Sequence, residues 1–279
     1  MDNILVVGAS GTVGLELVRI LKSKGHNVIH ATSKVEDLKP NQVHLNVVTK
    51  VGLKNAFEGV DKAFFLSPPG YANQHELLIP LIEQAKINKL KKVVLMTAMG
   101  ANAVDSAPMR MAEVYLEKSG LQYNIIRPNW FMQNFNTFWL QGILSQNKIF
   151  LPVGKAKGSF IDARDISAVA ANLLENDKFN NQDFDLTGND VLDHDQVAQV
   201  LSEVTGSKIS FQDITSNEML SGLLGAGLPK PYAEFLIMIL GFFKLGYAER
   251  VTENVEKILG RKPIAFKQYA KDYKSSWVK

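Results

Sequence analysis

The chain has 279 residues, 31 Lys+Arg against 28 Asp+Glu, 46% hydrophobic residues and no Cys. A formal charge of +3 with no basic run beyond pairs argues against a nucleic-acid partner, and the lack of Cys removes disulfides, thiolate nucleophiles and thiolate metal sites. The five histidines (His26, His30, His44, His75 and His194) lack ligand spacing, so a metal is not expected either.

Apolar runs recur evenly through the first half: Asn3–Val7, Asn27–Ala31, Gln42–Asn46, Lys62–Leu66, Lys92–Thr97 and Gln122–Arg127. Ile4-Leu5-Val6-Val7, Ala63-Phe64-Phe65-Leu66 and Val93-Val94-Leu95-Met96 are continuous rather than alternating, the pattern of strands buried on both faces of a parallel sheet. Between them, Val13–Lys24 and Asn73–Lys89 carry helical periodicity, with Pro80 as a candidate kink in the second. Alternating strand and helix predicts an α/β fold, a Rossmann-type doubly wound parallel sheet.

The second half loses this rhythm. Ile149–Leu151, Ser159–Ile161 and Phe184–Thr187 predict short strands; Ala163–Glu175 and Gln196–Val204 predict helices, the latter capped by Asp193 with Gln196. Phe235–Phe243 is too short to cross a bilayer and predicts a buried or pocket-lining helix, so no membrane partner is expected. Met219–Lys279 reads as helical with Gly and Pro breaks. The expected division is a nucleotide-binding domain over 1–135, rejoined by 163–188, and a smaller, mostly helical substrate-side lobe over 136–162 and 189–279. The N-terminal run shows no secretory signal, and a cytoplasmic monomer or homodimer is expected.

The first strand runs into Gly8-Ala9-Ser10-Gly11-Thr12-Val13-Gly14, and an apolar helix follows at once. In that context Gly8 allows the tight turn, Gly11 lets the backbone approach a pyrophosphate, and Gly14 permits close helix packing; Ser10, Thr12 and the amide of Val13 lie where they can donate to the anion. A dinucleotide is therefore the expected cofactor. NAD enzymes place Asp or Glu at the end of the second strand for the ribose 2′-hydroxyl, and here Thr32-Ser33-Lys34 stands instead. Ser33 and Lys34 suit a 2′-phosphate, which makes NADP(H) the preferred cofactor, with NAD(H) possible because Glu36 and Asp37 lie close by.

The G-x-x-G-x-x-G spacing resembles the short-chain dehydrogenase/reductase superfamily. Further segments resemble its atypical NmrA-like group, which includes triphenylmethane and quinone reductase-like proteins. These are Ala56-Phe57-x-Gly59-Val60-Asp61, Phe65-Leu66-Ser67-Pro68-Pro69, Ser119-Gly120-Leu121, Ile126-Arg127-Pro128-Asn129-Trp130-Phe131-Met132-Gln133-Asn134, Phe160-Ile161-Asp162-x-Arg164-Asp165-Ile166, Leu186-Thr187-Gly188 and Leu259-Gly260-Arg261-Lys262-Pro263. The resemblance covers nearly the whole chain. It implies that Leu66, Ser67 and Pro68, with Thr97, Ala98 and Met99, flank the ribose and nicotinamide, and that Pro128, Asn129, Trp130 and Phe131 close over the nicotinamide side. Asn46 departs from the Asp that many relatives carry beside the adenine.

Classical members of the superfamily use a Tyr-x-x-x-Lys pair, and none is present. Tyr115 is followed by Lys118, one residue short, and the corresponding turn in NmrA-like relatives falls near Met109 and Glu113. Thr97 stands near the family Ser. Tyr71 and His75 follow the fourth strand within reach of a pocket, but no general acid is assigned. Tyr71, Met99, Met109, Trp130 and Phe131, with Met132, are the candidate apolar pocket for a small-molecule hydride acceptor. The expected activity is an NADPH-dependent reduction of a flat, conjugated electrophile such as a quinone, enone or dye. The alternative is a redox sensor that binds the cofactor and signals through a protein partner. Nucleotide-sugar epimerisation is disfavoured for want of the Tyr.

Overall fold

The computed structural model describes residues 1–278. Its first elements are β1 (Asn3–Val6), α1 (Thr12–Ser23), β2 (Asn27–Thr32), β3 (Gln42–His44), β4 (Lys62–Leu66), α2 (Gln74–Ile87), β5 (Lys92–Met96), α3 (Pro108–Glu117) and β6 (Tyr123–Pro128). There follow α4 (Leu140–Gln146), β7 (Lys148–Leu151), β8 (Lys157–Gly158), α5 (Ala163–Glu175), β9 (Gln182–Leu186), β10 (Leu192–Asp193) and α6 (His194–Thr205). The chain ends with β11 (Ser210–Asp213), α7 (Ser216–Gly225), α8 (Lys230–Lys244), α9 (Asn254–Leu259) and α10 (Phe266–Asp272). Two compact units result: Met1–Pro128 with Arg164–Leu186 and Lys257–Gly260, and Asn129–Ala163 with Thr187–Glu256 and Arg261–Lys279.

The first unit is built on a seven-stranded sheet in the order β3-β2-β1-β4-β5-β6-β9. Every neighbouring pair in it is parallel. The central strands are apolar throughout because both faces are covered: Ile4, Leu5 and Val6, Phe64 and Phe65, and Val93, Val94 and Leu95 have no exposed surface. One face packs Leu5, Phe65 and Leu95 against Leu81 and Ile82 of α2 and Leu116 of α3. Helix α2 runs through Pro80 without a break. Strand order grows outward from β1 in both directions, so the chain reverses between β1 and β4. This is the doubly wound Rossmann arrangement, whose ligand crevice opens beyond the carboxyl ends of the strands at the reversal.

The opposite end of the sheet is closed by charge. Lys62 and Lys92 are register partners on β4 and β5, and their ammonium groups donate to Leu174 O and Asn176 O at 2.8 Å, where the carbonyls of α5 run out. Burial pushes the Lys92 ammonium down to about 8. Cations satisfy helix C-terminal carbonyls and oppose the dipole there, which locks α5 to the sheet.

The second unit gathers Met132, Phe135, Phe160, Phe243, Phe266, Tyr269 and Trp277 into one apolar core. Its small sheets pair β7 with β11 in parallel and β8 with β10 antiparallel. Helix α6 begins with the expected capping box, Asp193 accepting from Gln196 N while Gln196 Oε1 accepts from Asp193 N. One expectation is corrected. Ser159–Ile161 is not a strand: the strand falls at Lys157–Gly158, Ser159 N donates to Ala248 O, and Ile161 makes only an isolated bridge to Phe131. The buried or pocket-lining helix expected over Phe235–Phe243 forms within α8 and is buried on one side. Helix α8 buries Ala233, Leu240 and Phe243, whereas Met238 is 50% and Phe242 49% exposed, because its other neighbour, α7, contributes no buried residue.

Candidate functional site

The loop between β1 and α1 shows why each glycine is there. Gly8 takes a φ of +76°, and a Cβ on it would meet Leu66 Cδ1 at 2.9 Å, so this position serves both the turn and the close approach to the end of β4. A Cβ on Gly14 would stand 2.1 Å from Gly8 O, so the first turn of α1 packs directly on the loop. Gly11 differs. Its φ is an ordinary −83°, and a Cβ there would meet only Gly8 O, at 3.3 Å. Gly11 N donates to Gly8 O at 2.9 Å, and no side chain caps the helix. The first amides of α1 are thus left without an intrahelical acceptor. Ser10, Gly11 and Thr12 are exposed, while the Val13 side chain is buried and its residue contributes through the amide alone. Unpaired amides, a positive helix end and a cradle that a side chain would fill together fit a pyrophosphate.

At the end of β2, Thr32 Oγ1 accepts from Lys34 N at 3.3 Å and Thr32 O accepts from Leu45 N at 2.8 Å, so strand pairing and a side-chain turn shape the loop. Ser33 and Lys34 are exposed, and so are Glu36 and Asp37 farther along. Asn46, at the family's Asp position, accepts from Val48 N and Thr49 N at 3.0 and 3.1 Å and so organises the turn after β3. Leu66, Ser67 and Pro68 are half-buried at the end of β4; Tyr71 and His75 follow them, also half-buried. Ala98 and Met99 are half-buried after β5, with Met99 N donating to Pro128 O at 3.0 Å. Pro128 is itself buried.

Two assigned side chains are spent inside the protein. Thr97 is buried, and its hydroxyl donates to Glu113 Oε1 at 2.5 Å, so it offers no donor to a ligand. The Glu113 carboxylate, with no exposed surface, accepts Arg127 Nε and Nη2 at 2.8 Å each and Arg110 Nη1 at 3.1 Å. Arg127 also pairs with Asp183. Burial works against the Arg127 charge, but its hydrogen bonds and its attraction to Glu113 and Asp183 prevail and raise its pKa. With every oxygen occupied, Glu113 is a structural tie between α3 and β6. The signal in the sequence was Arg127 itself, a charge inside Ile125-Ile126-Arg127-Pro128 that required a buried partner. Asn129 is the second case: Nδ2 donates to Ser159 Oγ at 2.7 Å and Ala248 O at 2.8 Å, and Oδ1 accepts from Trp130 N at 2.9 Å.

Tyr115 points away from any acid role. Its hydroxyl donates to Glu83 Oε1 of α2 at 3.0 Å, and that bond raises its pKa above the usual tyrosine value. Met109 is half-buried near the start of α3. In the second unit, Trp130 and Phe131 are half-buried and Met132 is wholly enclosed, so Met132 belongs to the core and not to a pocket wall. Trp130 stacks on Trp139 with ring centroids 6.0 Å apart and meets Phe243 edge-on at 5.7 Å. Trp139 has no place in the sequence reading, since nothing local to Phe138-Trp139-Leu140 announces a partner nine residues earlier. Behind the pair sits His194, 1% exposed, with centroids of Phe211 and Phe243 at 5.3 Å and Phe160 at 5.6 Å. Neither ring nitrogen of His194 has a hydrogen-bond partner, and burial pushes its pKa down to about 4.

The glycine loop stands at the carboxyl end of β1 in a doubly wound sheet, the fold that the sequence resemblance implied. The chain belongs to the NmrA-like family. The family profile matches residues 1–271. The NAD(P)H azoreductase of Xenophilus azovorans is 30% identical over 98% of this chain and 99% of its own length. The Prestalk A differentiation protein A of Dictyostelium discoideum is 28% identical over 97% of this chain and 92% of that protein. Among solved structures, the triphenylmethane reductase of Citrobacter sp. superposes with a TM-score of 0.84 at 23% identity, covering 98% of this chain and 99% of that one. The same reductase complexed with NADP(H) gives 0.83, covering 96% and 99%. The shared fold is that of this NmrA-like chain from end to end.

Proposed function

We propose that this protein is an NADP(H)-dependent reductase that delivers hydride to a flat, conjugated electrophile of the quinone, enone or dye class, with no Tyr/Lys pair taking part. The observation that carries the reading is Gly11. Gly8 and Gly14 are demanded by the protein's own packing, whereas Gly11 has an ordinary φ and a Cβ on it would meet only Gly8 O, at 3.3 Å, which leaves it the least obstructed of the three and open to a ligand's close approach. Ser33 and Lys34, with no carboxylate at the strand end, support the phosphorylated cofactor, and the names of the azoreductase and of the dye-reductase complex agree with it.

When bound, the nicotinamide would supply a hydride, one proton with two electrons, to the acceptor. The chain's own contribution would be to hold the pyrophosphate on the amides of Thr12 and Val13 and to place the nicotinamide ribose beside Ser67, Ala98 and Met99. In the second unit, Trp130 and Phe131 are half-buried aromatic side chains suited to a flat acceptor. No side chain is assigned to proton transfer. A strongly polarised acceptor takes its proton from water, in keeping with the commitment of Thr97, Glu113 and Tyr115 to partners within the protein. The test is NADPH oxidation followed at its nicotinamide absorbance against quinones, enones, and azo and triarylmethane dyes. Turnover with at least one class is expected. Tight NADPH binding with no turnover on any acceptor would replace the reductase by the sensor reading.

A further inference from the structure

The carboxyl ends of β2 and β3 lie side by side, with Thr32 and His44 as register partners. The His44 ring reaches the loop that β2 feeds into, and its Nδ1 lies 2.8 Å from Lys34 O. A carbonyl only accepts, so Nδ1 carries the hydrogen and the bond ties His44 to the backbone of the residue assigned to the 2′-phosphate. The tautomer follows. In the neutral ring Nε2 holds a lone pair, and it becomes a donor only when the imidazole takes up a proton. Among the described residues no group bonds Nε2, and it is not one of the buried unpartnered nitrogens. Nε2 of this half-buried residue therefore keeps access to solvent. The charged residues on the segments flanking β3 are Lys34, Glu36, Asp37 and Lys39 before it and Lys50, Lys54, Glu58 and Asp61 after it, with Asp61 paired to Lys91.

We propose that His44 is a second specificity determinant for the phosphorylated cofactor, binding its 2′-phosphate as an imidazolium through Nε2 beside Lys34. The inference rests on the NADP(H) reading above. Its balance is simple: one proton passes from solvent to Nε2 as the phosphate docks, and none is needed for the unphosphorylated cofactor. A charge-assisted bond to phosphate is stronger than a neutral one, so the preference for NADPH over NADH rises as pH falls through the range where histidine gains its charge.

The experiment is titration calorimetry of NADPH and NADH at pH 6.5 and 8.5, with NADPH repeated at pH 7.5 in two buffers of different ionisation heat to count protons. For the unsubstituted protein, NADPH affinity is expected to be about 3- to 10-fold higher at the lower pH, with NADH unchanged and net proton uptake on NADPH binding. Titration of the phosphate itself releases protons, so the sign of the count separates the two. His44→Gln should lose both the pH response and the uptake, and His44→Lys should keep the NADPH preference without either. Thermal melts of the free variants establish that they are folded. If NADPH binds preferentially and His44→Gln leaves its pH response and proton count as before, the His44 assignment is overturned and the cofactor reading stands. If NADPH binds no tighter than NADH and Lys34→Ala changes nothing, the NADP(H) preference falls and takes this assignment with it.

Discussion

Gly11 and Gly14 sit three residues apart, at the cap and in the first turn of α1, yet replacing them should produce different failures. Gly14→Ala puts a Cβ 2.1 Å from a backbone carbonyl, and overpacking of this kind costs about 1–3 kcal/mol. Gly11→Val brings a Cβ to 3.3 Å from Gly8 O, a milder conflict, and blocks the path of the pyrophosphate. The expected outcome is a lowered Tm for Gly14→Ala. Gly11→Val should lower Tm less than Gly14→Ala and lose NADPH binding by calorimetry; unchanged affinity in the folded variant would remove the dinucleotide site. His194 makes a separate prediction about pH. Its pKa is about 4 in the fold against about 6.5 in an unfolded chain, so between those values only the unfolded state takes the proton. The stability associated with the neutral ring is complete above pH 6.5 and is lost progressively as pH falls toward 4, on the order of 3 kcal/mol at the limit. His194→Phe suits the surrounding Phe135, Trp139, Phe160, Phe211 and Phe243 and removes two unpaired nitrogens. Melts at pH 7 and pH 5 should show a smaller drop for His194→Phe than for the unsubstituted protein; equal drops would show that His194 does not titrate in this window.

Elements are held to one another by a few buried polar ties as well as by apolar faces. Helix α3 is fixed to β6 through Glu113 and Arg127, and to α2 through Tyr115 and Glu83. These ties differ in weight. Glu113→Gln leaves the buried Arg127 guanidinium without its main counter-charge, and breaking one partner of a buried pair costs about 3–5 kcal/mol. Tyr115→Phe removes one exposed hydrogen bond and should shift Tm little. Chemical denaturation of the two variants checks the contrast, and equal midpoints would refute it. Helices α1 and α2 were readable from the repeat of their buried faces, and the central strands from continuous apolar runs buried on both faces. The ties were not, because Thr97, Glu113 and Arg127 come from three elements and meet only after the sheet has formed.

For the molecule as a whole, the mechanism sets the expected pH–rate profile. If hydride transfer proceeds without a protein acid, as proposed, turnover on a good acceptor at saturating NADPH should be nearly flat between about pH 6 and 8, and Tyr115→Phe should retain most of the activity. Trp130→Ala, which removes the ring stacked on Trp139, should lower turnover far more than the loss of any single hydroxyl. A steep profile with one neutral pKa, or a folded, NADPH-binding and inactive Tyr115→Phe, would show that a catalytic acid exists. Continuous apolar runs, the glycine spacing and the missing strand-end carboxylate already carry the doubly wound sheet and the place of the nucleotide loop in the linear chain, because each is a local pattern with a local physical cause. Folding was needed to show that a Cβ at Gly11 would meet only Gly8 O, that Thr97 and Asn129 spend their polar atoms internally, that α8 leaves Met238 and Phe242 exposed, and that His44 turns Nδ1 to the Lys34 backbone. Each of those facts depends on a partner distant in sequence, and hydrogen-bond satisfaction and burial are properties of the assembled neighbourhood that no single segment encodes.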